Sequence, residues 1–226
     1  MPLEVCCYSL SSCITAQRAG AHRVELCAGA EVGGTTPLRE TIIAALDLGI
    51  PVVPMVRPRG GDFLYGTAEL EEVRKAVRMC RELGCTAIVS GVQLRDGRLD
   101  AGAMKRIVDL AGPLEVACHK VFDGVPDAAE ALETLVEAGC VRVLTSGMAA
   151  DAMAGAHVLH GLVAQAGARI AVMPGGGVRS SNLEALARIT GAREFHSSAI
   201  TTANAGHEAD ETEVRALARE LRAISG

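Results

Sequence analysis

The sequence predicts a single (β/α)8 barrel, one α/β domain spanning residues 1–226. Three observations predict it. Short β-rich runs alternate with helix-periodic segments from end to end. The connections are short, and no Pro/Gly-rich linker, low-complexity tract or break in composition divides the chain. Eight such units joined by right-handed crossovers favour a closed barrel over an open sheet. A doubly wound sheet is the alternative, but its Gly-rich fingerprint is missing, because the first strand runs into Ser9-Leu10-Ser11-Ser12.

In order along the chain, the strands are read at Leu3–Tyr8, Arg23–Cys27, Pro51–Val56, Ala87–Gly91, Leu114–Val121, Arg142–Gly147, Arg169–Met173 and Glu194–Ala199. Helical apolar spacing marks the segments between them, among them Glu69–Leu83, Ala128–Ala138 and Leu183–Ile189. Gly20, Gly49, Gly84, Gly112, Gly139, Gly167 and Gly191 stand where helices are expected to stop. The acidic run Glu208–Glu213 opens the last helix and reads as a solvated cap that suits the helix dipole.

Composition bounds the function. The chain has 226 residues, somewhat short for a barrel of about 250. Aromatic residues make up only 2%, so the core must be built from Ala, Val, Leu and Ile. A formal charge of −5 excludes the basic face that nucleic acid requires. No apolar run approaches the roughly 18 residues of a membrane span. A strand begins almost at once, without a basic segment followed by an apolar one, so the cytoplasm is the expected compartment. There the eight cysteines are expected to be reduced thiols. Cys80, Cys85, Cys118 and Cys140 lie in or beside apolar segments and read as packing.

Strand parity separates the functional candidates. The outer face of each barrel strand packs under helices and should be apolar, whereas the inner face tolerates polar groups near the carboxyl end. Leu3 and Val5 make one face of the first strand and Glu4 and Cys6 the other. Val24 and Leu26 make one face of the second, Glu25 and Cys27 the other. The same argument turns Arg57, His119, Glu194 and His196 inward. A buried carboxylate is costly unless paired, so Arg57 and His119 are the expected partners of Glu4 and Glu25. A salt-bridged layer that merely closes the barrel is the plainer alternative.

Further groups suggest chemistry. Arg57 and Arg59 are candidates to clamp a carboxylate or phosphate. Gly175-Gly176-Gly177 follows the seventh strand, where many barrels bind anions through backbone N–H groups, and Ser146 is a further candidate contact. Glu4, Glu25, His119, Asp123 and His196 are candidate catalytic groups, with roles that the sequence leaves open. Lys120 neighbours His119 on the predicted strand and should therefore point outward. His157 and His160 sit three apart on the sixth helix, and without a third ligand nearby they read as a surface or packed pair.

Several motifs carry a resemblance. Glu4-Val5-Cys6, Arg23-Val24-Glu25-Leu26-Cys27, Arg57-Pro58-Arg59-Gly60-Gly61-Asp62-Phe63, Leu144-Thr145-Ser146-Gly147, Met173-Pro174-Gly175-Gly176-Gly177 and Glu194-Phe195-His196-Ser197-Ser198 together resemble the CutC family of copper homeostasis proteins. The family usually carries Phe-His-Arg-Ala-Phe-Asp on the fifth strand. This chain has Cys118-His119-Lys120-Val121-Phe122-Asp123, so Lys120 replaces an arginine and would weaken a bidentate anion contact. The resemblance implies a cytoplasmic barrel linked to copper, with Cys6 and Cys27 as Cu(I) ligands, a pairing consistent with the softness of Cu(I).

Three readings follow. The first is a copper-handling protein binding Cu(I) through Cys6 and Cys27. The second is an isomerase, lyase or hydrolase acting on a small phosphorylated or carboxylated substrate at the barrel mouth. The third is an interaction protein with a vestigial site. The partner is then a copper ion or a small anionic molecule, with neither nucleic acid nor membrane. A homodimer is an option that the sequence leaves open.

Overall fold

The chain lays down β1 (Leu3–Cys7), α1 (Leu10–Ala19), β2 (Arg23–Leu26), α2 (Arg39–Leu46), β3 (Val52–Val56), α3 (Thr67–Glu82), β4 (Ala87–Ser90) and α4 (Ala101–Ala111). Then follow β5 (Glu115–Cys118), α5 (Ala128–Ala138), β6 (Arg142–Thr145), α6 (Ala156–Ala166), β7 (Ala171–Pro174), α7 (Leu183–Thr190), β8 (Phe195–Ser197) and α8 (Glu211–Ser225). This is a computed structural model, and it describes residues 1–202 and 206–225.

All strand pairs are parallel, in the order β7-β6-β5-β4-β3-β2-β1-β8. That is the order of a barrel, as the alternation of short strands and helices predicts. The remaining seam, between β7 and β8, is held by side chains and not by a ladder. Ser197 Oγ donates to the Val178 carbonyl at 2.8 Å, and the Arg179 guanidinium donates to Ser197 Oγ at 3.3 Å and to the Ile200 carbonyl at 3.0 Å.

Period-two alternation sorts the residues into two cores. Leu3, Val5, Val24, Leu26, Val52, Ile88, Val116, Val143 and Phe195 face outward into a continuous apolar shell under the helices. A smaller interior cluster contains Cys6, Cys27, Val53, Met55, Ala87, Val89 and Ala117, and fills the β1–β5 side of the barrel. All eight cysteines are buried free thiols, which fits the packing role read for Cys80, Cys85, Cys118 and Cys140. His157 and His160 are exposed on α6.

Two local expectations are corrected. The fifth strand stops at Cys118, because residues 120–124 wind into a 3-10 turn. His119 starts that turn, its Nδ1 accepting the Val121 N–H at 3.2 Å. Strand alternation therefore ends before Lys120, and its ammonium reaches the barrel mouth instead of the helices. The acidic run is also more than a solvated cap. Glu208 accepts from Ser9 Oγ and Ser12 Oγ at 2.8 and 2.6 Å, and Glu213 accepts from Ser180. These bonds latch the start of α8 to α1 and to the loop after β7.

No helix among the described residues is long and apolar enough to cross a membrane.

Candidate functional site

Inward-facing polar residues form three levels, from the amino ends of the strands to the mouth. At the floor, Arg23 begins β2, Arg142 begins β6 and Glu194 precedes β8. Glu194 accepts from Arg23 Nη2 at 2.7 Å and from Arg142 Nε at 2.6 Å. Glu194 thus faces inward, as parity predicts, but it belongs to this closing ionic layer. Arg23 and Arg142 were missed by the sequence reading, although parity could have found Arg23, two residues before Glu25 on the same face.

Above the floor lies a buried cluster on β1, β2 and β8. Glu4 stands opposite both Arg23 and His196 in strand register. Its carboxylate accepts from Arg23 Nε and lies 2.7 Å from His196 Nδ1. Burial pushes the Glu4 carboxyl up, but the His196 hydrogen bond and the His196 and Arg23 charges outweigh it and hold the pKa at about 2. The expected pairing of Glu4 and Glu25 with Arg57 and His119 is therefore corrected: Arg23 and His196 hold Glu4.

Glu25 is treated differently. Its Oε2 lies 3.9 Å from His196 Nε2 and accepts from Cys27 Sγ at 3.6 Å, while Oε1 is buried with no hydrogen-bond partner. Burial, then the neighbouring Cys6 and Glu4, drive the Glu25 carboxyl well above its ordinary value despite the His196 charge. Cys6 stands opposite Glu25, so Cys6 and Cys27 are diagonal neighbours and do not occupy matching register positions. The neighbouring Cys27, and then His196, draw Cys6 well below its ordinary value against the cost of burial. Cys27 is pushed up by the same interaction and by burial. Burial opposes the His196 charge, but Glu25, Cys6 and Glu4 together keep the imidazolium well above its ordinary value. Donor atoms of Cys6, Glu25 and His196 lie within 4.8 Å of one another.

At the mouth a cavity of about 210 Å³ opens over this cluster. Cys6, Glu25 and His196 line its base, Arg57, His119 and Lys120 its wall, and Gly176 and Gly177 its rim. Tyr8, Met55 and Phe63 also line it. The aromatic and Met residues escaped notice because single apolar residues near strand ends carry no signal beyond core.

The other predicted site residues lie elsewhere. Arg59 is half-exposed and paired with Asp62 and Glu69, away from the cavity lining. Asp123 accepts from Thr145 Oγ and from the N–H groups of Ser146 and Met148, so it shapes the loop after β6. Ser146 Oγ is used by the Ala149 carbonyl at 2.7 Å. Gly175 packs beneath the rim against Leu144 and His196.

The chemistry available is thus two buried thiols beside a buried carboxyl and an imidazole, covered by an open cavity with cationic walls. Known proteins share this scaffold. Residues 1–201 match the model of the CutC family. A CutC family protein of Parabacteroides distasonis is 45% identical over 199 residues, covering 87% of this chain and 82% of that one. A CutC family protein of Chromobacterium violaceum is 46% identical over 198 residues, covering 87% and 80%. The crystal structure described as copper homeostasis protein CutC from Streptococcus agalactiae superposes with a TM-score of 0.83 at 31% identity, covering 89% of this chain and all of that one. With motifs, strand order and relatives in agreement over nearly its whole length, the chain belongs to the CutC family.

Proposed function

We propose that this chain handles copper by binding Cu(I) between Cys6 and Cys27 at the base of the barrel mouth. The observation that carries the reading is the placement of two buried thiols as diagonal neighbours on β1 and β2. Their surroundings draw Cys6 well below its ordinary value and push Cys27 well above it. Cu(I) is a soft ion that prefers sulfur, and the donor set matches it; Glu25 is a hard oxygen donor, and His196 keeps its proton between Glu4 and Glu25.

Charge supports the same reading. Around the thiol pair the cations Arg23, Arg142 and His196 are met by the carboxylates of Glu4 and Glu194, while the other buried cation, Arg57, lies outside this network. Binding Cu(I) while Cys27 loses its proton exchanges one positive charge for another, so the interior keeps its balance. An exchange of this kind avoids the desolvation cost of an unmatched buried ion.

Anaerobic titration with Cu(I) against a chromophoric chelator tests the proposal. The Cys6→Ser, Cys27→Ser double variant should lose at least about 100-fold in affinity, equivalent to about 2.8 kcal/mol. Because Cys27 must release one proton, the wild-type affinity should rise about tenfold per pH unit between roughly pH 6 and 8. An unchanged affinity in the double variant overturns the reading.

A second reading rests on Glu25 and Cys6 standing together at the base of the cavity. A protonated carboxyl beside a thiolate is an acid–base pair for proton transfer on a small anionic substrate. Its test is deuterium exchange from solvent into small carboxylic acids, followed by proton NMR and compared with Glu25→Gln. Exchange that Glu25→Gln abolishes supports it, and exchange equal in both proteins removes it.

A further inference from the structure

Arg57 is a buried guanidinium that meets no carboxylate among the described residues. Only 5% of it is exposed, and its ion-pair neighbourhood is empty, unlike that of Arg142 or Arg23. Nη1 donates to the Val32 and Gly34 carbonyls, each at 2.9 Å, and Nη2 donates to the Gly61 carbonyl at 2.7 Å. Nε is buried with no acceptor. Carbonyl dipoles offset a cation only in part, and a buried charge without a counter-charge is costly.

Facing the same cavity is a second unmatched donor. Nδ1 of His119 accepts the Val121 N–H, so the ring proton belongs on Nε2. That Nε2 is buried and has no acceptor. Burial and the Arg57 charge hold the His119 pKa down to about 3, so the imidazole is a neutral N–H donor. Phe63 lies against both groups, 4.7 Å from the Arg57 guanidinium and 4.8 Å between ring centres from His119. It fixes the two donors on one wall. Lys120 completes that wall from the 3-10 turn, its ammonium 3.8 Å from an Asp123 carboxylate already engaged by Thr145, Ser146 and Met148.

We propose that the cavity bounded by Arg57, His119 and Lys120 binds a compact organic carboxylate. Arg57 supplies a buried positive charge that no carboxylate meets, His119 a neutral N–H, and half-exposed Lys120 a screened charge at the entrance. This set matches a monoanion; a phosphate dianion would bring a second charge with only Lys120 to meet it. The cavity volume of about 210 Å³ restricts the ligand to a small molecule. The anion recognised is thus held by β3 and the turn after β5, not by Arg59 or by a Gly175–Gly177 cradle alone. The inference does not depend on copper, and it concerns binding and not turnover.

The test uses the metal-free full chain titrated with acetate, lactate and inorganic phosphate, at constant ionic strength and neutral pH. Lactate or acetate should raise Tm by about 3–6 °C at ten times its dissociation constant. The same titration should move the NMR signal of His119 Nε2–H in the wild-type protein. Arg57→Gln should weaken carboxylate binding at least tenfold. Because Arg57 also ties three loop carbonyls, the wild-type His119 signal carries the test if that variant does not fold. Carboxylate binding with the His119 signal unmoved, no carboxylate binding, or phosphate bound in preference to both carboxylates would overturn the proposal.

Discussion

Glu4 and Glu25 occupy the inner faces of neighbouring strands, yet the barrel holds them in opposite states. Glu4 is drawn down by His196 and Arg23, whereas burial and the neighbouring Cys6 push the Glu25 carboxyl up. Linkage gives each a sign. The depressed Glu4 pKa contributes stability that is present above its ordinary value of 4.5 and is lost as pH falls toward about 2. The raised Glu25 pKa acts the other way: above 4.5 the unfolded chain releases a proton that the folded one retains, so Glu25 costs stability at neutral pH. His196, raised above 6.5, contributes stability that is present below that value and is lost as pH rises through its folded pKa. Glu4→Gln should therefore destabilise by about 3–5 kcal/mol at pH 7, since it takes the paired carboxylate from buried His196 and leaves Arg23 with Glu194 alone. Urea unfolding measures it; a loss below about 1 kcal/mol would contradict the pairing. Glu25→Gln should instead stabilise by about 1–3 kcal/mol at pH 7, with the gain vanishing below about pH 4.

At the scale of elements, the loop after β6 shows how backbone proximity shapes the mouth. A Cβ on Gly155, just before α6, would stand 1.9 Å from the Ser146 carbonyl oxygen and 2.9 Å from Gly147 Cα and O, and all three contacts are backbone. Gly147 approaches the same place with φ of 73°, a left-handed conformation. Gly155→Ala should cost about 3 kcal/mol or more, because neither backbone can yield without moving the Asp123-bound loop. Thermal unfolding checks it, and a change in Tm under about 2 °C would show that the loop relaxes freely. The fifth strand illustrates the limit of element-level reading. Val121 and Phe122 are fully buried in the 3-10 turn, as they would be in an extended strand. Burial alone does not distinguish the two, and the His119 side chain that starts the turn leaves no periodic signal. That is why Lys120 was assigned to the wrong face.

At the scale of the whole molecule, the barrel is completed by a segment beyond the family match, which ends at residue 201. Helix α8 buries Val214, Leu217, Ala218 and Leu221, and Glu208 and Glu213 pin its start to α1 and to the loop after β7. Leu217→Ala should destabilise by about 2–5 kcal/mol. Chemical denaturation provides the check, with a loss under about 1 kcal/mol meaning that α8 is a detachable appendage. Strand alternation is a local property of the backbone, so the inward set Glu4, Cys6, Glu25, Cys27, Arg57, His119 and His196 was readable from the sequence by itself, as was the barrel that their repeating strands build. Depth and partnership were not readable. They depend on the stagger of each strand against the next, which places Cys6 opposite Glu25 and Glu4 between Arg23 and His196. Barrel closure sets that stagger, and no local stretch of sequence encodes it.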